Sequence, residues 1–466
     1  MTVMAEVQPK LRPIQKWGLA LGALVFIVPF FFDIPGLEPE GQRMLSIFLL
    51  AIIFWITEAI PLFATATLVI LLEVLLISDS GLFEAFEGAP TAASVFSAMA
   101  NPVIILFIGG FLIADGAAKF GLDRNIAAVF MKPFKGSPRL LILGMMLITA
   151  ALSMFMSNTA TTAAMFAVVM PLIAGMPTPA AKTALALSIP VAANIGGIGT
   201  PVGTPPNAIA VGALAARGEQ VSFVEWMIIA MPFVLVVLAI AWFVVTRAVP
   251  KDAPVELDMQ ADFDRSRNAR IFYAVAGLTI LLWMSEPLHG VSSNIIGFVP
   301  VVLLLATRVM GGGDIKVLDW PVLWLVAGGI ALGNGVGATG LDAWLLGSFD
   351  WEAMPTLMVI AVLTFIGFGM ANVISHSATA NLLIPLGLSF SAVIGIDIVM
   401  LAVVLAISTS LGMSMPISTP PNAIAYSTGV VPLKSMAIVG MIVGSIGAVI
   451  LVFVMPWFWE ITGLIG

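Results

Sequence analysis

The residues best suited to chemistry in this chain are uncharged, and they occur twice. Segments 204–210 and 419–425 share the seven residues Thr-Pro-Pro-Asn-Ala-Ile-Ala, inside stretches that are otherwise apolar. Because proline lacks a backbone N–H and breaks a helix, two adjacent prolines leave neighbouring carbonyls and amides without helical partners. In a membrane, such backbone is tolerated only where it lines a protein-enclosed or water-filled cavity. Broken helices at matching positions in two halves indicate the binding site of a secondary transporter.

Two short polar triplets, Ser157-Asn158-Thr159 and Ser375-His376-Ser377, interrupt two further apolar segments. We expect them to converge with the two proline breaks near the middle of the membrane, and none of these four regions contains Lys, Arg, Asp or Glu. Helix N-termini attract anions, whereas freed carbonyls and helix C-termini suit a hard cation such as sodium. The residues therefore predict a small anionic solute bound together with sodium, without buried charged side chains, which would be costly.

Composition places the chain in a membrane and argues against catalysis. It is 60% hydrophobic and only 10% charged, against roughly 25% charged in soluble domains. The lack of cysteine excludes disulfides, haem thiolates, iron–sulfur clusters and thiol nucleophiles. With two histidines and no base with an orienting acid beside the serines, we expect no enzyme and no organic cofactor. We expect the lipid bilayer, the anionic solute and sodium as partners, and no nucleic acid.

The predicted fold class is an all-α polytopic membrane protein, with about eleven transmembrane helices and two re-entrant hairpins. With the N-terminus in the cytoplasm and the C-terminus outside, all of the 19 Lys and Arg residues except Arg43 and Arg217 lie on the cytoplasmic side. This satisfies the positive-inside rule. We therefore expect a multi-pass protein of the inner (cytoplasmic) membrane, with the acidic segments 78–90 and 342–352 facing outward.

The two halves of the chain are related beyond the proline breaks. Segment 102–123 resembles segment 321–342, with shared glycines and a shared final Leu-Asp pair. In the predicted topology the first segment runs from outside to inside and the second from inside to outside. The sequence therefore predicts inverted-topology repeats, the arrangement that lets one fold alternate between two faces of a membrane.

These motifs resemble those of the divalent anion/sodium symporter (DASS, INDY-like) family. The resemblance rests on the Ser-Asn-Thr triplet at 157–159, the GxGTPxGTPPNA run at 197–208 and the STPPNA run at 418–423, and it covers nearly the whole chain. It implies a homodimer in which a transport domain moves like an elevator against a scaffold. It also implies substrates such as C4-dicarboxylates, citrate or sulfate, coupled in many members to sodium.

On this resemblance the chain divides into five parts, and each hairpin is expected to precede a broken helix. The parts are 1–96, scaffold helices of the first repeat; 97–216, the first half of the transport domain, with hairpin 140–174 and broken helix 183–216; 217–317, scaffold helices and the inter-repeat linker; 318–430, the second half of the transport domain, with hairpin 355–390 and broken helix 398–428; and 431–466, the last transmembrane helix.

The resemblance also assigns residues to the site. Those expected to bind substrate are Ser157, Asn158, Thr159, Thr204, Pro205, Ser375, His376, Ser377, Thr419 and Pro420. Those expected to bind sodium are Ser157, Asn158, Gly203, Asn207, Ser375 and Asn422.

The second triplet departs from the family pattern, in which both hairpin tips read Ser-Asn-Thr. Here His376 replaces the asparagine and Ser377 replaces the threonine. A neutral imidazole would weaken the second sodium site, because sodium prefers oxygen ligands. A protonated imidazole would repel sodium and attract a carboxylate. In a third reading the imidazole is a steric replacement, and backbone carbonyls alone hold the ion.

Taken together, the sequence predicts a secondary active transporter that imports a divalent organic anion. A C4-dicarboxylate such as succinate is favoured over sulfate, because two polar tips on opposite halves suit a ligand with two anionic ends. The alternatives are a sodium-independent dicarboxylate or citrate exchanger and a proton-coupled anion transporter. An ion channel would instead need a ring of residues lining a pore and no inverted hairpins.

Overall fold

The structure, a computed structural model, describes residues 11–134, 136–251, 261–347 and 354–465. Over these ranges the chain forms α-helices and short 3-10 helices, and no β-strand. The all-α class predicted from the sequence is therefore confirmed. Some predicted features fall outside the described residues, namely Lys10 and Lys135 among the cytoplasmic basic residues, 252–260 in the linker and 348–352 in the second acidic segment.

In the described chain, the α-helices before the first hairpin are α1 (Pro13–Ile27), α2 (Pro39–Thr57), α3 (Leu62–Leu76), α4 (Ala92–Ser97), α5 (Pro102–Lys119) and α6 (Leu122–Phe130). α2 ends at Thr57, and the left-handed backbone of the next residue, Glu58, with φ 48°, turns the chain sharply towards α3. α5 begins at Pro102, where the missing N–H would have no helical partner in any case. Prolines thus mark where several of these helices can start.

The first hairpin and the first broken helix are α7 (Pro138–Ser153), α8 (Asn158–Ala174), α9 (Pro179–Gly197) and α10 (Pro205–Ala215). α7 and α8 cover the range predicted for the hairpin, and the turn between them contains Ser157. α9 and α10 are separated by the Gly- and Pro-rich stretch 198–204. Two prolines at the start of α10 restart the helix there, since helix N-termini tolerate proline.

The helices between the two repeats are α11 (Phe223–Thr246), α12 (Arg267–Met284), α13 (Glu286–His289), α14 (Ser293–Ile296), α15 (Phe298–Ala306) and α16 (Gly312–Lys316). The second repeat follows with α17 (Trp320–Ala338), α18 (Leu341–Gly347), α19 (Thr356–Val373), α20 (His376–Ile394), α21 (Ile398–Ser410) and α22 (Pro420–Ser427). The last two helices are α23 (Leu433–Phe453) and α24 (Met455–Thr462). α19 and α20 form the second hairpin, and α21 and α22 form the second broken helix.

The described chain has seven helices that are long and apolar enough to cross a membrane, at Pro13–Phe31, Pro39–Thr57, Ala92–Lys119, Phe223–Thr246, Trp320–Ala338, Thr356–Val373 and Leu433–Phe453. Shorter apolar helices accompany them, including both helices of the first hairpin and α21. The protein is thus a multi-pass membrane protein, as predicted. The number of about eleven crossings and the orientation of the termini stay predictions.

The two helices that lead into the proline breaks are deeply buried. α9 is buried from Ala184 through Gly197, and α21 from Met400 through Ser410. A Cβ atom on Gly196 would collide with the backbone of Ala150 in α7, so α7 and α9 lie in direct backbone contact. Small residues permit such close approach between membrane helices. The packing of α9 and α21 therefore places the two proline breaks, with their polar backbone groups, in the protein interior.

α17 begins just after the predicted domain boundary at residue 318 and packs against helices of both predicted domains. A Cβ atom on Gly328 would collide with Ala66 of α3, and one on Gly333 would lie 3.0 Å from the Pro385 side chain of α20. The helix is therefore in close contact with the N-terminal helices and with the second hairpin. The division into scaffold and transport domains stays a prediction.

Candidate substrate and cation site

The tips of the two hairpins have the same local structure. Ser157 precedes α8 and its Oγ accepts a hydrogen bond from the Ala160 N–H, while Ser375 precedes α20 and accepts from the Ala378 N–H, both at 3.2 Å. A serine at this position satisfies one of the unpaired N–H groups of the first helical turn. The other two residues of each triplet therefore form the first turn of the returning helix, even though His376 replaces asparagine in the second.

The two proline breaks are also built alike. Thr204 and Thr419 precede α10 and α22 with nearly identical backbone angles, φ −149° and ψ 146° against φ −148° and ψ 147°. Pro205 and Pro420 follow as the first helical residues. The repeated sequence thus produces a repeated conformation, with a fresh helix N-terminus inside each half.

The asparagine of each break holds its loop in shape. Asn207 and Asn422 are buried, and the Nδ2 atom of each donates to backbone carbonyls of the preceding loop. These acceptors lie between 2.7 and 3.1 Å away, at Ile198 and Thr200 for Asn207 and at Met413 and Met415 for Asn422. Asn207 Nδ2 also donates to Gly197 O at 3.0 Å. The two amides therefore tie irregular backbone that helices leave unpaired.

The two tips and the two breaks meet around one cavity of about 120 Å³. The residues predicted to bind substrate all line it, together with Gly203. They are Ser157, Asn158, Thr159, Thr204, Pro205, Ser375, His376, Ser377, Thr419 and Pro420. Asn207 and Asn422, predicted to bind sodium, do not line it, because their amides are engaged within the breaks. The structure thus brings the predicted substrate residues together, and their roles stay predictions.

The electrostatic character of this cavity comes from the backbone. The residues preceding α8, α10, α20 and α22 all line it, so four helix N-termini face one small space. Each N-terminus carries about half a positive charge. Among the described lining residues there is no Lys or Arg, and Asp319 is the only acidic one. Its carboxylate accepts from the Val322 N–H at 3.3 Å. The cavity is therefore suited to an anion.

Sequence reasoning missed part of the cavity wall. Phe107 and Phe111, one helical turn apart in α5, line it and pack edge to face with ring centroids 5.7 Å apart. Asn194 of α9 and Asp319 before α17 line it as well. Asn194 could have been found as a polar residue within an apolar run shortly before the first break. The phenylalanines carry no such signal, since aromatic residues are common throughout the chain.

Asn158 links the first hairpin tip to the first broken helix. One end of its carboxamide lies 3.1 Å from Ala193 O, 3.1 Å from Gly203 O and 2.6 Å from Ser153 Oγ. An amide nitrogen at that end donates to both carbonyls, while the Ser153 hydroxyl donates to Ala193 O at 2.9 Å. A Cβ atom on Gly197 would collide with the same carboxamide. The side chain of Asn158 is therefore held on several sides.

His376 links the second hairpin tip to the second broken helix by a different bond. Its ring is buried, and Nε2 lies 2.7 Å from Gly412 O. Because a carbonyl oxygen can only accept, Nε2 carries a proton and donates it. The backbone N–H of His376 also donates to Ser418 O, at 3.4 Å. The imidazole thus joins a hairpin tip to its broken helix, as the carboxamide does in the first half, through a different carbonyl.

The Asn194 side chain connects the two halves at the cavity. Asn194 in α9 is buried, and its Nδ2 donates to Thr419 Oγ1 at 3.3 Å and to Asn422 Oδ1 at 3.1 Å. The oxygens Asn194 Oδ1 and Asn207 Oδ1 are buried without a hydrogen-bond partner. Unpartnered buried oxygens are uncommon in folded proteins and mark places where a ligand or ion can bind.

Comparison with known proteins gives relatives over almost the whole chain. The sodium-dependent dicarboxylate transporter SdcS of Staphylococcus saprophyticus is 30% identical over 480 residues, covering 94% of this chain and 90% of that protein. The protein of the same name from Staphylococcus aureus strain NCTC 8325 is 31% identical over 487 residues, covering 96% of this chain and 92% of that protein.

Two solved structures share the fold at low sequence identity. The YdaH transporter of Alcanivorax borkumensis superposes with a TM-score of 0.57 at 13% identity, covering 92% of this chain and all of that one. Neisseria gonorrhoeae MtrF gives 0.56 at 12% identity, covering 96% and 95%. The family described as the transmembrane region of sodium:sulfate symporters matches residues 15–465. The chain belongs to this family, and it is a membrane transporter rather than an enzyme, as its motifs predicted.

Proposed function

We propose that the protein imports a C4-dicarboxylate such as succinate together with sodium. The observation that carries this proposal is the convergence of four helix N-termini on one cavity that has no Lys or Arg among its described lining residues. Helix N-termini bind anions through their free N–H groups and partial positive charge. Ser157 and Ser375 lie on opposite hairpin tips around that cavity, an arrangement that suits a ligand with an anionic group at each end. The names of the SdcS relatives support the same substrate class and sodium coupling.

The sodium ion of this proposal binds beside the first hairpin tip. Its ligands are the oxygens of Ser157, Asn158, Gly203 and Asn207. Asn207 Oδ1 is buried without a partner, and Gly203 O lies 3.1 Å from the Asn158 carboxamide. Carboxamide, hydroxyl and carbonyl oxygens are the ligands that hard cations prefer. An ion here would neutralise part of the charge of an anion in the adjoining cavity, which couples the two binding events.

Labelled-substrate uptake tests the proposed function. Purified protein in liposomes is given labelled succinate, citrate or sulfate, with sodium, potassium or choline outside. We expect saturable succinate uptake that requires sodium, because the ion stabilises the dianion in the cavity. Equal uptake in all three salts with rapid counterflow would indicate a sodium-independent exchanger. Uptake driven by a proton gradient in choline would indicate proton coupling. Either result would contradict the proposal.

We further propose that transport follows an elevator mechanism in a homodimer held together by scaffold helices. The two hairpins and the two broken helices would move together against α2 and its neighbours. α2 and α20 share one apolar cluster, which includes Met44, Ile47 and Ala51 on α2 and Leu382 on α20. A sliding interface of this kind can shift without deforming the cavity, since all of the cavity residues lie in 97–216 and 318–430, the two segments assigned to the transport domain.

Cysteine crosslinking tests the elevator. The chain contains no cysteine, so a Leu382→Cys variant can be combined in turn with Met44→Cys, Ile47→Cys and Ala51→Cys without background. We expect crosslinks at two separated positions along α2, each trapping a different facing of the site and each blocking uptake reversibly. Accessibility of a cavity residue from either side of the liposome identifies the facing. Crosslinking at one position only, with one facing, would contradict the mechanism.

A further inference from the structure

The two halves can be compared position by position, because the breaks align on their repeated motifs. Asn207 corresponds to Asn422, and Gly197 and Gly412 precede these asparagines by the same number of residues. Both asparagines hold equivalent carbonyls of their loops. Asn158 and His376 occupy the same place after the capping serines of the tips. Because the backbone is similar at these positions in the two halves, a difference in hydrogen bonding there reflects the different side chains.

The first half offers a place that can receive a cation. The Asn158 carboxamide end that faces Ala193 O and Gly203 O can present either nitrogen or oxygen, since the two ends of an amide have nearly the same shape. With nitrogen there, the amide donates to both carbonyls. With oxygen there, it accepts from the Ser153 hydroxyl at 2.6 Å and faces two carbonyl oxygens, each 3.1 Å away, an arrangement that a cation between the oxygens would stabilise. Asn207 Oδ1, buried without a partner, lies in the adjoining break.

In the second half, two oxygens near the tip already have donors from the protein. His376 has no side-chain oxygen to turn inward, and its Nε2–H donates to Gly412 O at 2.7 Å. In the first half the corresponding carbonyl, Gly197 O, accepts from Asn207 instead. Asn422 Oδ1 accepts from Asn194 Nδ2 at 3.1 Å, whereas Asn207 Oδ1 has no partner. Two oxygens that could ligate a cation in the second half are therefore occupied by N–H donors of the protein itself.

We propose that the protein binds a single sodium ion, at the first hairpin tip, and that the His376 side chain takes the place of an ion at the equivalent position of the second. This inference rests on the proposed sodium coupling. The imidazole N–H ties the second hairpin tip to its break permanently, a link that an ion would otherwise make only when bound. Asn194 reinforces the substitution by holding Asn422. The protein therefore couples each substrate to one sodium ion, and Ser375 and Asn422 do not ligate sodium.

The unmodified protein provides the first test. Fluxes of labelled sodium and labelled succinate are measured together in liposomes at zero membrane potential. We expect one sodium ion per succinate, and an apparent sodium Hill coefficient of about one. Two or more sodium ions per succinate would overturn this inference and leave the proposed function intact. Succinate uptake with no sodium flux would overturn the proposed function, and this inference with it.

The His376→Asn variant provides the second test, because it supplies a carboxamide oxygen where the imidazole stands. We expect its apparent sodium Hill coefficient to rise towards about two. In a thermal-unfolding measurement, which needs no transport, the increase in Tm for each tenfold increase in sodium concentration should become about twice as large. His289→Asn is the matched control, since it changes the chain's other histidine, which is exposed at the end of α13, and should leave both values unchanged. Unaltered sodium dependence in folded His376→Asn protein would overturn the inference. If the variant does not fold, the flux ratio of the unmodified protein still decides.

Discussion

The Asn158→Ala variant is expected to lose sodium-dependent uptake by at least about 100-fold, which corresponds to about 2.7 kcal/mol. The carboxamide approaches Ala193 O and Gly203 O at 3.1 Å and Ser153 Oγ at 2.6 Å. Removing it takes the amide donor from Gly203 O, at about 1–3 kcal/mol for an unsatisfied group, while Ala193 O keeps the Ser153 hydroxyl. It also removes a proposed ligand of the sodium ion. Uptake of labelled succinate at saturating sodium, with sodium-dependent Tm measured alongside, checks both losses.

Asn125→Ala is the control for this variant. Asn125 in α6 donates to Gly121 O at 2.8 Å and to Asp262 O at 3.0 Å, so the change removes a similar amide from a region outside the cavity. We expect this control to keep sodium-dependent uptake. Sodium-driven uptake at the unmodified rate in folded Asn158→Ala protein would show that the first hairpin tip is not the site of coupling.

The Gly203→Ala variant is expected to lose uptake by about 30-fold or more, from a conformational cost of about 2 kcal/mol. A Cβ atom at this position would lie 2.9 Å from Gly197 Cα and 3.0 Å from its carbonyl carbon. These are backbone atoms, which cannot rotate away as a side chain could, so the break must open. Opening moves Gly203 O from the Asn158 carboxamide and distorts the cavity wall. Binding of succinate and of sodium to purified protein should therefore weaken together.

Gly277→Ala is the matched control for the same chemical change. Gly277 lies in α12, and a Cβ atom there would meet nothing within 4 Å. Alanine is favoured over glycine inside a helix by about 0.5–1 kcal/mol, so Tm should rise slightly while uptake is unchanged. Normal binding in the Gly203→Ala variant would mean that the two sides of the first break do not need to stay in contact for function.

Much of this protein could be read from its sequence because the strongest signals are local. Apolar runs fix which segments become membrane helices, since only helices and closed barrels satisfy the backbone in lipid. The prolines at 205–206 and 420–421 fix where two buried helices restart, because a proline suits the first turn of a helix and not its interior. Ser157 and Ser375 fix the hairpin tips, because a serine hydroxyl caps the first turn.

The tertiary structure decided which of those helices pack together and which residues line the cavity. Whether four helix N-termini share one cavity depends on how α7 to α10 pack against α19 to α22, and the hydrogen bonds from Asn194 to Thr419 and Asn422 join these two sets of helices. Phe107 and Phe111 join the wall through the placement of α5, which no local pattern encodes.

The difference between the two halves also came from the fold. The sequence shows that His376 stands where an asparagine was expected, and it leaves three readings open. Only the folded chain brings the imidazole to Gly412 O and Asn194 to Asn422, from segments far apart in sequence. Sequence alone determined which helices form and where they break, because those choices depend on neighbouring residues. Which group donates a hydrogen bond to each buried oxygen depends on residues that are distant in the sequence, so tertiary packing decided it.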